Sequence, residues 1–371
     1  MTNGILVTGA FGQVGRRTTE LLLSRGHTVI ATDQDGERAV RAANELARQE
    51  HPGTLKIAYA DLLDERAISD LVALHRPDAI LHLAGILAPL SYRNPRLARA
   101  VNVDGTANLV RAAQSLAVPP FVVFASSAAV YGSRNPARQP ERITSQTPLR
   151  PVDHYGEDKA IAEAVIKDSG LPHVVLRLGG VISPAGTSGL NVDHLVMMRA
   201  LPGDNQMHTV DARDVATALA NAVDRRHTVG GKALPVAGND THLHTYREVE
   251  DDLLEAVGVG RLGPRASLPG DRSDDRGWGP TGLFDTTESQ ALLSYHDHDW
   301  SDTVAWVAQS QPRYLRRSLR VAGPILRHAM LATLVVQRKV ERRGAYANPW
   351  RFIAGKYGPD VLAQGDRSPR P

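Results

Sequence analysis

Over its first 180 residues the chain alternates short apolar runs with segments of helical periodicity, and that alternation leaves few folds open. "GILVTG" leads into an amphipathic stretch from Gly15 to Arg25, and "TVIATD" into a second helical pattern from Ala39 to Gln49. "LKIAYADL" and "AILHLAG" follow, then a long helical segment, "RAVNVDGTANLVRAAQSL". "FVVFASS", a helix from Tyr155 to Asp168 and "HVVLRL" complete the series. Strands that are apolar at nearly every position have both faces covered, so a parallel sheet between two helical layers is expected.

That arrangement is an α/β, Rossmann-type doubly wound parallel sheet. The turn after the first strand, "TGAFGQVG", supports it. Gly9 suits a tight turn, Gly12 allows close backbone approach to a pyrophosphate, and Gly15 allows helix and strand to pack closely. The N–H groups opening the next helix would face those phosphates. Asp33 ends the second strand, where a carboxylate accepts from a ribose 2′-hydroxyl and repels a 2′-phosphate. NAD is therefore expected over NADP. Gln13 adds no cation to the turn, and Arg38 is the nearby charge that could swing the other way.

Taken in order, "TGAFGQVG", "ADL", "HLAG", "NVDGT", "SSAAVYG" and "YGEDK" make the chain similar to the extended short-chain dehydrogenases/reductases, the NAD-dependent epimerase/dehydratase family, over roughly residues 3 to 310. The resemblance implies that Asp61 and Leu62 lie against the adenine and that Leu83, Ala84 and Gly85 line the cofactor. It also implies that Asn102 stands nearby, and that Phe11 and Gln13 in the glycine turn and Val181 past the sixth strand belong to the same site. It further implies a homodimer paired through two long helices.

Tyr155 and Lys159 are four apart, so on a helix they share one face. A free phenol is too weak an acid to act as a base near neutrality, and a neighbouring ammonium and a positive nicotinamide would favour its phenolate. Tyr155 could then exchange a proton with a carbinol as hydride moves to or from the cofactor. The resemblance makes Lys159 a ribose contact too and, counting from "VYG", assigns the third catalytic role to Ser127, with Ser126 as the adjacent candidate. Dehydratases of the family carry acids just after that hydroxyl. Here stand Ala128 and Ala129, which cannot move a proton.

What remains is hydride transfer at a carbinol. The main expectation is an oxidoreductase interconverting a secondary alcohol and a ketone. The alternatives are an NAD-dependent epimerase, of sugar or nucleotide-sugar type, with a transient ketone, and a non-catalytic dinucleotide sensor. Sugar-nucleotide members continue the sixth strand with a pattern like R-x-x-N-V-Y-G-P, whereas this chain reads "RLGGVISP". Gly180, Ile182 and Ser183 replace polar anchors, which suggests a less polar alcohol or ketone, with Leu190, Val196, Met197 and Met198 lining its pocket.

The domains expected are a core over 1–180 with 206–240 returning to it, a smaller substrate-binding region over 181–205 and 241–310, and a basic helical tail over 311–371. "RASLPGDRSDDRGWGPTG" reads as a surface loop. From Gln311 onward 13 Lys and Arg face 3 Asp and Glu, while the remainder carries 30 and 37. The closing "AQGDRSPRP" reads as disordered. In "PILRHAMLATLVVQRKVERRG" a helix is expected to begin with Pro324 at its first position. Ile325, Ala329, Val336 and Val340 fall on one side of it. Such a helix can lie on an anionic membrane or pack on protein; packing on the body or a second subunit is preferred, and no run reaches the roughly 20 apolar residues of a membrane span.

No basic surface interleaved with aromatics suggests nucleic acid. His242, His244, His296 and His298 lack a metalloenzyme spacing, and no metal is expected. The absence of cysteine fits a reducing, cytoplasmic setting, and the opening "MTNGILVTGAFG" enters a strand without the pattern of a signal peptide.

Overall fold

The computed structural model describes residues 4–184 and 192–366. Seven parallel strands form the main sheet: β1 (Ile5–Thr8), β2 (Thr28–Asp33), β3 (Thr54–Tyr59), β4 (Ala79–His82), β5 (Phe121–Ser127), β6 (His173–Leu178) and Ala233–Val236. Their spatial order is β3-β2-β1-β4-β5-β6 and then Ala233–Val236. The order reverses between β1 and β4, the switch point at which such sheets bind ligands beyond their carboxyl ends.

Strand alternation builds two cores. Val7, Val29, Leu81 and Val123 point to one face, where helices α1 (Gln13–Ser24), α2 (Glu37–Ala47) and Ala212–Asp224 cover them. Leu6, Ile30, Ile80 and Phe124 point to the other, under α3 (Glu65–His75), Gly105–Gln114 and His154–Asp168.

The long helical segment expected over "RAVNVDGTANLVRAAQSL" is not continuous. It runs as Pro95–Arg99, a π turn over Ala100–Asp104, and Gly105–Gln114. The strand Gln206–Asp211, expected to return to the core, sets Val210 into the core of the main body while pairing with Gly180–Ile182 and Leu243–Thr245 in a separate three-stranded sheet. The helix after it and the strand Ala233–Val236 rejoin the main body as well.

The loop over 265–282 is less superficial than its composition suggests. Trp278 is fully buried within it and donates its indole N–H to Asp271 O at 3.0 Å. The tail forms a 28-residue helix, Arg313–Val340, which starts well before Pro324 and carries it internally. This helix holds an 18-residue window of mean hydropathy 1.4, so it is long and apolar enough to cross a membrane by length and composition, contrary to the shorter run read from the sequence.

A final helix, Pro349–Tyr357, then folds back on the body. Trp350, Ile353 and Val361 pack with Tyr92 and Val152. Trp350 donates to Ser133 Oγ at 2.7 Å, Ala363 N–H to Val152 O at 2.9 Å and Gln364 N–H to Glu157 Oε1 at 2.9 Å. Residues 367–371 of the end read as disordered, and Leu190, lie outside the described residues.

Candidate active site

A cleft of about 540 Å³ opens at the switch point. Its floor is the glycine turn. Gly9 has φ +67°, and a side chain on it would meet Ala84 N at 2.7 Å. A Cβ on Gly15 would lie 2.0 Å from Gly9 O, so only glycine lets α1 start this close to the strand. Gly9, Gly12, Gln13, Gly15, Asp33, Asp61, Leu62, Leu83, Ala84, Gly85 and Val181 all line the cleft, together with Ser127, Tyr155 and Lys159.

Two residues expected there do not. Phe11 lies behind the turn, its N–H donating to Asp33 Oδ2 at 3.2 Å and its ring facing Tyr59. Asn102 stands one layer back in the π turn, where its amide accepts from Ile86 N–H at 2.8 Å and donates to Ile86 O at 3.0 Å. It shapes the loop after β4 instead of lining the cleft. Val196 and Met198 are buried and Met197 packs against the final helix; none of the three lines the cleft.

The carboxylates Asp33 and Asp61 stand at the end of the cleft nearest β2. Asp33 accepts from the N–H groups of Phe11 and Gln34, while its burial pushes its pKa up. Gln34 donates to Asp61 at 3.1 Å. Beside the glycine turn, His82 bridges Thr8 Oγ1 (2.8 Å) and Thr106 Oγ1 (2.9 Å). Burial lowers its pKa to about 3, so it is a neutral bridge between strand and helix. This link is not legible from spacing, although its members sit inside the motifs "VTG", "HLAG" and "DGT".

The reactive end follows from strand alternation. At the end of β5, Ser126 donates to Glu163 Oε1 at 2.5 Å, whereas Ser127 lines the cleft beside Tyr155. Asp153 caps the helix His154–Asp168, designated α4 hereafter, accepting from Gly156 N–H at 3.0 Å and from the Tyr92 hydroxyl at 2.6 Å. Lys159, one turn on, is buried and donates to Ala125 O at 2.9 Å. Burial lowers its pKa to about 8, against the pull of Glu163 and Asp158.

Burial raises the Tyr155 pKa, with the Ser127 hydroxyl opposing it and Asp153 and Asp158 adding to it. The protein's own surroundings therefore do not produce the acidic phenol expected from the Tyr–Lys spacing.

Behind Ser127, Arg177 makes a bidentate pair with Glu163 (2.8 and 3.1 Å) and donates to the Tyr131 hydroxyl at 3.0 Å. Glu163 lies four residues beyond Lys159, a helical spacing that places it on the same side. Ala128 and Ala129 are buried in the turn that follows Ser127. The histidines are structural bridges: His242 meets Thr209 Oγ1 at 2.9 Å, and His298 meets Asp214 at 2.5 Å.

The family model for the NAD dependent epimerase/dehydratase family matches residues 5–237. The chain belongs to that family. Its glycine cradle, which a Cβ would fill, and the half-buried carboxylate at the tip of β2 fit NAD.

UDP-glucose 4-epimerase of Lactobacillus helveticus is 29% identical over 259 residues, 68% of this chain and 70% of that protein. UDP-glucose 4-epimerase 2 of Oryza sativa subsp. japonica is 36% identical over 168 residues, 44% of this chain; the match spans only 40% of the rice protein's length. Among solved structures, UDP-glucose-4-epimerase from Stenotrophomonas maltophila, with bound NAD and formylated UDP-arabinopyranose, aligns with TM-score 0.67 at 21% identity, over 85% of this chain and 99% of that one. That likeness shows the fold. The likeness in sequence to 4-epimerases of this NAD-dependent enzyme family overturns the expectation of a net alcohol–ketone oxidoreductase and favours the alternative in which the ketone is transient.

The apolar wall expected from "RLGGVISP" is also corrected. Ile182 turns away into a core with Val249 and Trp300, and a side chain on Gly180 would meet Met207 Cε at 2.7 Å. These replacements repack the body; they do not grease the cleft.

Proposed function

We propose that this chain is an NAD-dependent epimerase that inverts a carbinol carbon of a nucleotide sugar, of the UDP-sugar 4-epimerase type. The observation that carries the reading is that Ser127, Tyr155 and Lys159 line the dinucleotide cleft together, with Lys159 one helical turn beyond Tyr155. When bound, NAD supplies the hydride acceptor and, oxidised, a positive charge.

The residues do the rest. Ser127 holds the substrate oxygen. Tyr155 takes the hydroxyl proton as the C–H hydride departs and returns it when hydride is delivered to the opposite face of the ketone. Because burial raises the Tyr155 pKa, its base form relies on nearby positive charge, and Lys159, still largely protonated near neutrality, supplies part of it. Ala128 and Ala129 offer no group to move a proton at carbon, which disfavours dehydration.

The test is to incubate the NAD-loaded protein with UDP-glucose, UDP-galactose and UDP-arabinose while following both the sugars and absorbance of NADH. Interconversion without net cofactor change, lost in Tyr155→Phe while NAD still binds, supports the reading. Steady release of NADH or turnover indifferent to Tyr155 contradicts it.

A further inference from the structure

The helix Arg313–Val340 has two faces, and only one is used by the rest of the chain. Its inner face sets Met330, Leu331 and Leu334 on a core of Leu254, Val259 and Leu262. Arg327 donates to Val259 O at 2.9 Å, Arg316 to Ala308 O at 3.0 Å and Arg338 to Arg265 O at 2.9 Å. Gly323 is buried because a Cβ there would meet Val259 O at 2.8 Å.

The outer face shows Val321, Ile325, Val336 and Val340 at 84%, 75%, 58% and 76% exposure. With Tyr314 they form one stripe, about 39 Å long at the rise of an α-helix. These are largely the residues whose spacing suggested packing on protein, and the body takes the opposite side. The helix carries seven arginines and lysines and no acid. Arg317, Arg320 and Lys339 flank the stripe in solvent.

We propose that this face lies in the plane of an anionic lipid bilayer, with its aliphatic side chains among the upper acyl segments and its arginines at the headgroup phosphates. An exposed apolar stripe of this length on a convex helix marks an interaction surface. Its charge selects the occupant. An acid-free basic helix with an aliphatic face is matched by anionic lipid. A two-fold contact with a second copy would bring two acid-free helices face to face, which like charges oppose.

Spanning is ruled out by attachment. The inner arginines are bonded to carbonyls of the body. Beyond the helix, Arg343 donates to Arg199 O at 3.1 Å and Trp350 is buried, so both ends are held by one body. The charge asymmetry of the chain also sets orientation, with the basic tail toward an anionic surface and the acidic remainder away from it. The inference is independent of the epimerase reading, since it concerns a surface apart from the cleft.

The test is sedimentation of the full NAD-loaded protein with vesicles of equal phosphatidylglycerol and phosphatidylcholine, and with phosphatidylcholine alone. The protein should pellet with the anionic vesicles and be released by high salt. Neutralising Arg317, Arg320 and Lys339 to Gln should weaken binding about fivefold per cation, on the order of a hundredfold together. The triple change Val321→Asp, Ile325→Asp, Val336→Asp should abolish binding with thermal unfolding and epimerase turnover in solution unchanged, because all three side chains already face water. Equal recovery in the supernatant with and without anionic vesicles would overturn the proposal. So would full binding by the triple-Asp protein, or a dimer by light scattering that the triple change dissociates while no vesicle binding is seen.

Discussion

Gly156 offers a sharp test of how the reactive pair is assembled. It is the third residue of α4, and a Cβ there would lie 2.4 Å from Ala129 O and 2.9 Å from Ala129 C, both backbone atoms of the turn after Ser127. Its backbone φ is not in the left-handed region, so alanine is allowed by conformation and refused by space alone. Ordinary contact begins at 3.4 Å, so Gly156→Ala must part helix and turn by about 1 Å. That movement separates Tyr155 from Ser127, and a misplacement of about 1 Å costs on the order of 100-fold in rate. Overpacking should cost about 1–3 kcal/mol of stability. In an unobstructed helix the same change would gain about 1 kcal/mol, so the two effects differ in sign. Urea unfolding reads the stability and sugar interconversion reads the rate. NAD affinity should hardly move, because Gly156 does not line the cleft. A Gly156→Ala protein as stable and as active as the parent would refute this account of the site.

Lys159→Met tests the buried ammonium. The unfolded lysine keeps its proton to pH 10.5 and the folded one releases it near 8, so between those values the unfolded state binds more protons and the wild type gains stability as pH rises. Relative to Lys159→Met the gain should total about 3 kcal/mol, read from urea midpoints of cofactor-free protein across that window; a flat or falling difference contradicts it. Glu163→Gln should cost about 3–5 kcal/mol by leaving Arg177 buried without its counter-ion, and Glu163→Leu with Arg177→Met should recover most of it; denaturant midpoints showing the double change worse than the single would count against the pairing. Asp33→Asn should weaken NAD at least about tenfold and narrow the preference over NADP in fluorescence titrations; an unchanged ratio would remove Asp33 from that role.

Much of the fold was legible because its signals are local. The apolar strands, the glycine turn and the Tyr155–Lys159 spacing each lie within a few residues, and strand alternation then separates Ser127 from Ser126. What could not be read depends on distance. Asn102 stands one layer back from the cleft because its amide is taken up by the backbone of Ile86, sixteen residues away. Glu163 and Arg177 become partners only when helix and strand are packed. The short strand Ala233–Val236 gave too little periodicity to be noticed. Ile182 and Gly180 suggested an apolar substrate because a residue type tells nothing of which way it faces; Met207 and Trp300, far along the chain, decide that. The tail helix was amphipathic on both sides, so periodicity could not say which face the body would choose.

The ties from Ala363 to Val152 and from Gln364 to Glu157 join residues roughly 200 positions apart. They bracket the first turn of the helix that presents Tyr155. During synthesis the sheet and its glycine turn can form from early residues, but this bracket cannot close until Gln364 has left the ribosome. A nascent chain therefore acquires its hold on a nucleotide well before its reactive hydroxyls are locked in place, and a truncation that removes Trp350 should leave a binder with an unsteady catalyst.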